Sequence, residues 1–454
     1  MSSQGVLDGT ARRFERVVAE AQSVGRMPSL VAGVSRGGGL AWSGARGRVE
    51  GVVPDVGTQY RIGSLTKTMV AVLVMRLRDE GLVDLSDSLD KHVPGSAVGD
   101  RTVGQLLAHT GGVVAELPGS WWERVPGVDR EEMHERLSAD PVVSRAGGGF
   151  HYSNPGYALL GELVERVRGA GWWEVLGAEL LGPLGMSRTV LEPSGAFARG
   201  FAVHPWADVV LTEAVQDLGA MGPAGQLWST VADLSRWAVF LSGDTGGVLS
   251  GDTLAEMCEP VGVSDGDAWT GGYGLGVQLW RSGGRRLVGH GGSVPGYLAG
   301  IVVDREWSSG AVALMNCTSS EKSGVAASLL SALGELEPPM PGEWSPEVGV
   351  DPGLLEVVGP WYWGAAPSGV RLLREGWLEL FSLGRSGGRG ARFRPNGDGT
   401  WTGLDGYYTG EVLRVVRDGV GVVSHLDVGT FVYTREPYGP AGVVPGGVDS
   451  AGWV

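Results

Sequence analysis

Lysine is nearly absent from this chain. Of its 36 basic residues only Lys67, Lys91 and Lys322 are lysines, and the rest are arginines, as a G+C-rich genome would encode. Cysteine is scarcer still: Cys258 and Cys317 are too few for a disulfide framework and lack metal-ligand spacing. The seven histidines show no pattern such as HExxH, so neither a metal nor a cofactor is expected. Nowhere is there a run of the ~18 to 20 apolar residues that a bilayer crossing needs. The N-terminal MSSQGVLDGTARRFERVVAEAQSVGR carries charges throughout and has no apolar stretch of signal-peptide length, so a cytoplasmic protein is expected. Positive charge is also short. A net charge of −15 argues against nucleic acid or an anionic membrane as a partner, because both are negative.

A length of 454 residues favours one large domain plus a smaller one, and 43% hydrophobic with 19% charged residues suits a substantial core. The 79 glycines follow no collagen-like period. From Pro28 to Glu50, apolar stretches alternate with glycines and predict a β-hairpin. An apolar helix follows Ser64, and residues 100 to 240 read as mostly helical, with segments such as ALLGELVERVRG and STVADLSRWAVFLSG. Strand signals return in GYGLGVQLW, RRLVGHGG, YLAGIVVD and GAVALMN, before a helix at VAASLLSALGEL. This order predicts one α+β domain over residues 1–335, its helical part inserted between sheet elements. The segment from Glu335 to Gly353 holds five prolines and marks a linker, taken as 336–353. Short alternating stretches then predict a small all-β domain, an antiparallel sheet or barrel, over 354–440, with a tail at 441–454.

Ser-x-x-Lys occurs at every lysine, so the bare pattern selects none of Ser64/Lys67, Ser88/Lys91 and Ser319/Lys322. Lys91 sits among aspartates as an ordinary solvated cation, and Lys322 lies in the polar turn TSSEKSG. Lys67 differs. Met69, Val70, Val72, Leu73, Val74, Met75 and Leu77 follow it on nearly every face of its helix, which makes that helix a buried one. Serine and lysine at i and i+3 share a face. Burial disfavours the ammonium, so the amine should titrate below its ordinary ~10.4. A neutral amine can take the Ser64 proton and make the oxygen a nucleophile. Arginine stays protonated and cannot. The Ser64 N–H, at a helix start, points toward an anion site. Ser64 as a plain N-cap with Lys67 snorkelling to water is the competing reading.

The lipase-type G-x-S-x-G pattern occurs around Ser35, Ser264 and Ser386. In so glycine-rich a chain, roughly one serine in thirty matches by chance, and none clearly sits on a strand-to-helix turn. All three are read as turns.

Two more patches carry chemistry. Tyr152-Ser153-Asn154 is the single Tyr-x-Asn in a chain with three asparagines. A phenol can relay a proton between serine and leaving group, and an amide can hold a substrate carbonyl. Asn154 also precedes Pro155, as a helix N-terminus would, so capping and substrate contact both stand. In His290-Gly291-Gly292 the glycines would let an extended substrate approach an edge strand, and His290 would add polarity or positive charge. The Ser293 N–H could join that of Ser64 as an oxyanion hole.

Taken in order, Ser64-x-x-Lys67, Tyr152-x-Asn154 and His290-Gly291-Gly292 resemble the three motifs of the serine β-lactamase and penicillin-binding-protein superfamily. The chain is most similar to the class C β-lactamase and D-alanyl-D-alanine carboxypeptidase-like hydrolases, a likeness extended by VGQLLAHTGG and GHGGSVPGYLAG over about residues 12 to 335. The resemblance implies an antiparallel sheet flanked by helices and an acyl-enzyme on Ser64, with Lys67 and Tyr152 managing its proton in roles left open. His-Gly-Gly replaces Lys-Thr-Gly, which weakens the expectation of a fixed cation for a β-lactam carboxylate and is commoner in esterases, D-amino-acid peptidases and amidases of the group. The expected activity is hydrolysis of an ester or peptide-like amide, D-residues included, with a small-molecule or peptide substrate. One alternative is a penicillin-binding-protein-type thioesterase that releases and cyclises a nonribosomal peptide from a peptidyl carrier protein, with tryptophans such as Trp121-Trp122 and Trp172-Trp173 lining a dry pocket. Another is a catalytically silent binding protein on the same fold.

Overall fold

The computed structural model describes residues 5–318, 324–384, 390–439 and 444. The chain divides into two units, Met1–Met340 and Pro341–Val454. The principal elements of the first are α1 (Asp8–Val24), β1 (Ser29–Arg36), β2 (Gly39–Gly47), α2 (Leu65–Asp79), α3 (Asn154–Arg168) and α4 (Val231–Ser242). They continue with β3 (Gly262–Val263), β4 (Gly271–Tyr273), β5 (Gln278–Ser282), β6 (Arg285–Val294), β7 (Tyr297–Asp304), β8 (Ser309–Met315) and α5 (Val325–Leu336).

The sheet is antiparallel, ordered β2-β1-β8-β7-β6-β5-β4-β3. Strands β1 and β8 are buried along almost their whole length, which requires cover on both faces. Side chains alternate accordingly. Leu30, Ala32 and Val34 pack with Phe14 and Val18 of α1 and with Leu329 and Leu333 of α5. Val31, Val312 and Leu314 belong to the other core, with α2 and α4. Helix α2 is apolar all round because it lies inside that second core, with 12 of its 15 residues buried.

Residues 100 to 240 are less helical than their sequence implies. Helices form at Val103–Leu107, Arg130–Ala139, α3, Trp172–Leu176 and α4, but residues 187 to 230 hold only short strands and one 3-10 turn. Pro193, Pro205 and Pro223 and glycines 195, 200, 219, 222 and 225 interrupt any helical run there. The serine patterns also need correction. Ser35 is not in a turn: it is buried inside β1, which runs into a hairpin rather than a helix. Ser264 does lie on a bend after β3, and residues 385–389 around Ser386 fall outside the described residues.

In the second unit eight antiparallel strands, from Gly359–Trp363 to Phe431–Thr434, form a closed barrel, sealed where Tyr362 pairs with Thr434. Inward positions carry Trp361, Leu380, Phe393, Trp401, Leu413 and Leu426, and side chains of that size fill so small a barrel. Among the described residues no helix is long and apolar enough to cross a membrane.

Candidate active site

Ser64 stands at the N-terminus of α2, on a segment pressed against β6. Two glycines permit that approach. Gly63 has φ +52°, and a Cβ on it would lie 2.8 Å from the Ser293 nitrogen. A Cβ on Gly292 would lie 2.0 Å from the Ile62 carbonyl oxygen. Ser64 and Ser293 are thereby brought to one end of β6. Ser64, Tyr152, His290, Gly291, Gly292 and Ser293 all line a single cavity of about 760 Å³.

Lys67 has no exposed surface. Its Nζ lies 3.0 Å from Ser64 Oγ, 2.6 Å from Asn154 Oδ1 and 2.6 Å from the Ala224 carbonyl oxygen. Burial pulls its pKa from 10.5 to about 7, with the charges of Glu116 and Glu123 opposing the fall. In the neutral form the amine has two protons and one lone pair. The Asn154 and Ala224 oxygens can only accept, so they take both protons and leave the lone pair for the Ser64 hydroxyl. Lys67 does not snorkel. Lys91, by contrast, is largely exposed and paired with Asp87 at 2.6 Å, and Lys322 lies outside the described residues.

The Tyr152 phenol is pushed well above its ordinary pKa of 10 by burial, against which a hydrogen bond with Ser64 acts. It therefore rests neutral. Its ring centre is 5.0 Å from Lys67 Nζ.

Asn154 opens α3 but does not cap it. Ser153 is the cap, its hydroxyl accepting from the Gly156 N–H at 3.0 Å, with Pro155 in the first turn. Both ends of the Asn154 amide are engaged: Oδ1 accepts from Lys67, and Nδ2 donates to the two Glu116 oxygens at 2.9 and 3.0 Å. In this arrangement the amide orients the amine.

His290 supplies polarity without charge. It is 1% exposed, and burial lowers its pKa to about 3. Nδ1 donates to the Gly291 carbonyl at 2.5 Å, which leaves Nε2 to accept from the Tyr273 hydroxyl at 3.0 Å. The positive charge considered for this residue is thus absent at neutral pH. Strand β6 pairs with β5 only as far as Gly289, so the edge beyond it is open to an extended ligand. The Gly291 N–H there donates to Gln278 Oε1 at 2.9 Å, a contact such a ligand would replace.

Several contributors were not visible in the sequence. Glu116 fixes Asn154 and itself accepts from Trp122 Nε1 at 2.6 Å. The Ala224 carbonyl is a backbone group that no side-chain pattern announces. His109, buried and held well below its ordinary pKa by desolvation, has its ring centre 4.2 Å from that of Tyr152, tilted by 37°, and accepts from the Ser153 N–H through Nδ1 at 3.0 Å. Its place in HTGG was the available signal. Trp122 and Trp172 are buried core residues, and it is Trp280 that lines the cavity.

A family model described as Beta-lactamase matches residues 14–335, and one described as a domain of unknown function (DUF7586) matches residues 350–435. The chain is 24% identical over 278 residues to Beta-lactamase-like protein 2 of Dictyostelium discoideum, covering 56% of this chain and 50% of that protein. It is 31% identical over 202 residues to the D-alanyl-D-alanine-carboxypeptidase/endopeptidase AmpH of Escherichia coli (strain K12), covering 42% and 51%. These matches thus span about half the length of the curated relatives. Among solved structures, the octameric penicillin-binding protein homologue from Pyrococcus abyssi aligns with TM-score 0.66 at 22% identity, over 94% of this chain and 100% of that one. A D-stereospecific amidohydrolase from Streptomyces sp. aligns with TM-score 0.61 at 24% identity, over 73% and 99%. At such identities the structural likeness is one of fold.

Proposed function

Since this chain belongs to the β-lactamase family, a family of serine hydrolases, we propose that it cleaves an ester or peptide-like amide through an acyl-enzyme on Ser64. The observation that carries this reading is the Lys67 amine, fully buried and 3.0 Å from Ser64 Oγ. As the Ser64 oxygen attacks the carbonyl carbon, its proton passes to Lys67 Nζ. The N–H groups of Ser64 and Ser293 hold the resulting oxyanion. The neutral Tyr152 phenol donates its proton to the departing group and recovers one from Lys67. Water then attacks the acyl carbon, its proton passing through Lys67 to the Ser64 oxygen as the Ser64–acyl bond breaks, and the acid is released. Lys67 is the base in this scheme because the phenol's raised pKa keeps it protonated.

The names of AmpH and of the D-stereospecific amidohydrolase support a substrate containing D-residues. Intact-protein mass spectrometry with an ester, a β-lactam and a peptidyl thioester, comparing wild type with Ser64→Ala, tests the proposal. An adduct on wild type alone with hydrolysed product supports it. A cyclic peptide product would move the assignment to a carrier-dependent thioesterase, and no adduct with any of the three would leave a silent binder.

A further inference from the structure

The cavity does not end at the reacting groups. Alternation puts Leu287, Gly289, Gly291 and Ser293 of β6 on one face of the sheet, together with Leu298, Gly300 and Val302 of β7. Gly291 is the register partner of Gly300, so the middle of this face carries no side chain. Close packing does not demand either glycine. A Cβ on Gly291 would meet nothing nearer than 3.8 Å and one on Gly300 nothing nearer than 3.9 Å, unlike those on Gly63 and Gly292. The bare floor is open space, continuous with Ser64 and Tyr152 and walled by Trp280, Leu287, Leu298, Val302, Ala327 and Leu330. Arg285, which also lines it, is paired with the buried Asp304 at 2.7 Å and stacked 4.1 Å from the Trp307 ring centre, so its charge is already engaged. The volume, about 760 Å³, falls where pockets for drug-sized ligands fall, and the chemistry uses one end of it.

We propose that this trough binds an apolar group of the substrate, an alkyl chain or an aromatic ring borne near the scissile carbonyl. The proposal rests on the hydrolase reading and adds the substrate class: apolar acyl or alkyl derivatives rather than small polar ones. Burial of each added methylene against these walls should favour the longer substrate until the trough is full.

The test is kcat/KM for two ester series, p-nitrophenyl acetate to decanoate, which lengthens the acyl side, and methyl to octyl thioacetates, which lengthen the leaving side. The wild type should prefer the longer members of one series by at least about 10-fold. Gly300→Val, suited to a strand and with room for its Cβ, should erase most of that preference. Ala327→Phe, on an exposed helix position, should do so independently should the first variant fold poorly. Acylation of Ser64 with no length dependence in either series, or a preference that both variants keep, overturns the trough and leaves the hydrolase reading intact. No acylation by any ester overturns both.

Discussion

Lys67 Nζ and Ser64 Oγ stand 3.0 Å apart, and the lysine has no exposed surface. Water cannot solvate the ammonium there, so the amine titrates near 7 and is substantially neutral at physiological pH. A strong base in water thus becomes a usable one beside a serine.

Replacing Lys67 with arginine keeps a cation and removes the base, because guanidinium does not deprotonate. Ser64 acylation in Lys67→Arg and Lys67→Ala should fall by about 10²- to 10⁴-fold. Stopped-flow measurement of p-nitrophenolate release, with circular dichroism as a folding check, tests this. An arginine variant acylating at wild-type rate would exclude the amine as base.

Glu116 acts on that amine in two ways: its carboxylate orients Asn154, and its charge holds the Lys67 pKa up. The groups bearing on Nζ include Ser64, Asn154 and the Ala224 carbonyl by hydrogen bond, the Tyr152 and Tyr157 rings, and the charges of Glu116 and Glu123, with His109 and His290 electrostatically linked to it. Glu116→Gln deletes one negative charge, so the midpoint of the rate against pH should move toward acid. A purely structural role would lower the rate and leave the midpoint where it was.

Tyr152→Phe removes the proton of the neutral phenol that shares the cavity with Ser64. Turnover of an amide, whose leaving nitrogen needs a proton, should drop by about 10²-fold or more, and that of a p-nitrophenyl ester much less. Equal losses on both substrates would deny the phenol its relay.

His290 links the site to stability. Its pKa falls from 6.5 unfolded to about 3 folded, so the unfolded chain binds the extra proton between those values. The contribution is complete above 6.5 and is lost as pH falls toward 3. Relative to His290→Asn, the wild type should lose roughly 3 kcal/mol between pH 7.5 and pH 4. Urea unfolding of both proteins at the two values measures it, and a difference independent of pH would contradict a neutral buried imidazole.

Periodicity made the elements around the site legible. The hairpin after Pro28 corresponds to β1 and β2, the apolar run after Ser64 to α2, and VAASLLSALGEL to α5 residue for residue. Ser64, Tyr152 and His290 could be placed together only through motif order, since nothing local links strand β6 to the start of α2. Contacts closed by long loops stayed hidden. Glu116 meets Asn154 across 38 residues and Ala224 meets Lys67 across 157, and the second of these uses a backbone carbonyl. Glycines at 33 and 37 mimic a turn around Ser35, whereas burial on both faces of β1 makes it strand.

The most direct test is the pre-steady-state rate of Ser64 acylation by a p-nitrophenyl ester, measured from pH 5 to pH 10. A single rise to a plateau is expected, with its midpoint near pH 7, where buried Lys67 gives up its proton. A rate still climbing at pH 10 with no plateau, as an amine at the ordinary lysine value of 10.5 would give, or a rate that does not change across the range, would contradict a buried amine acting as the base.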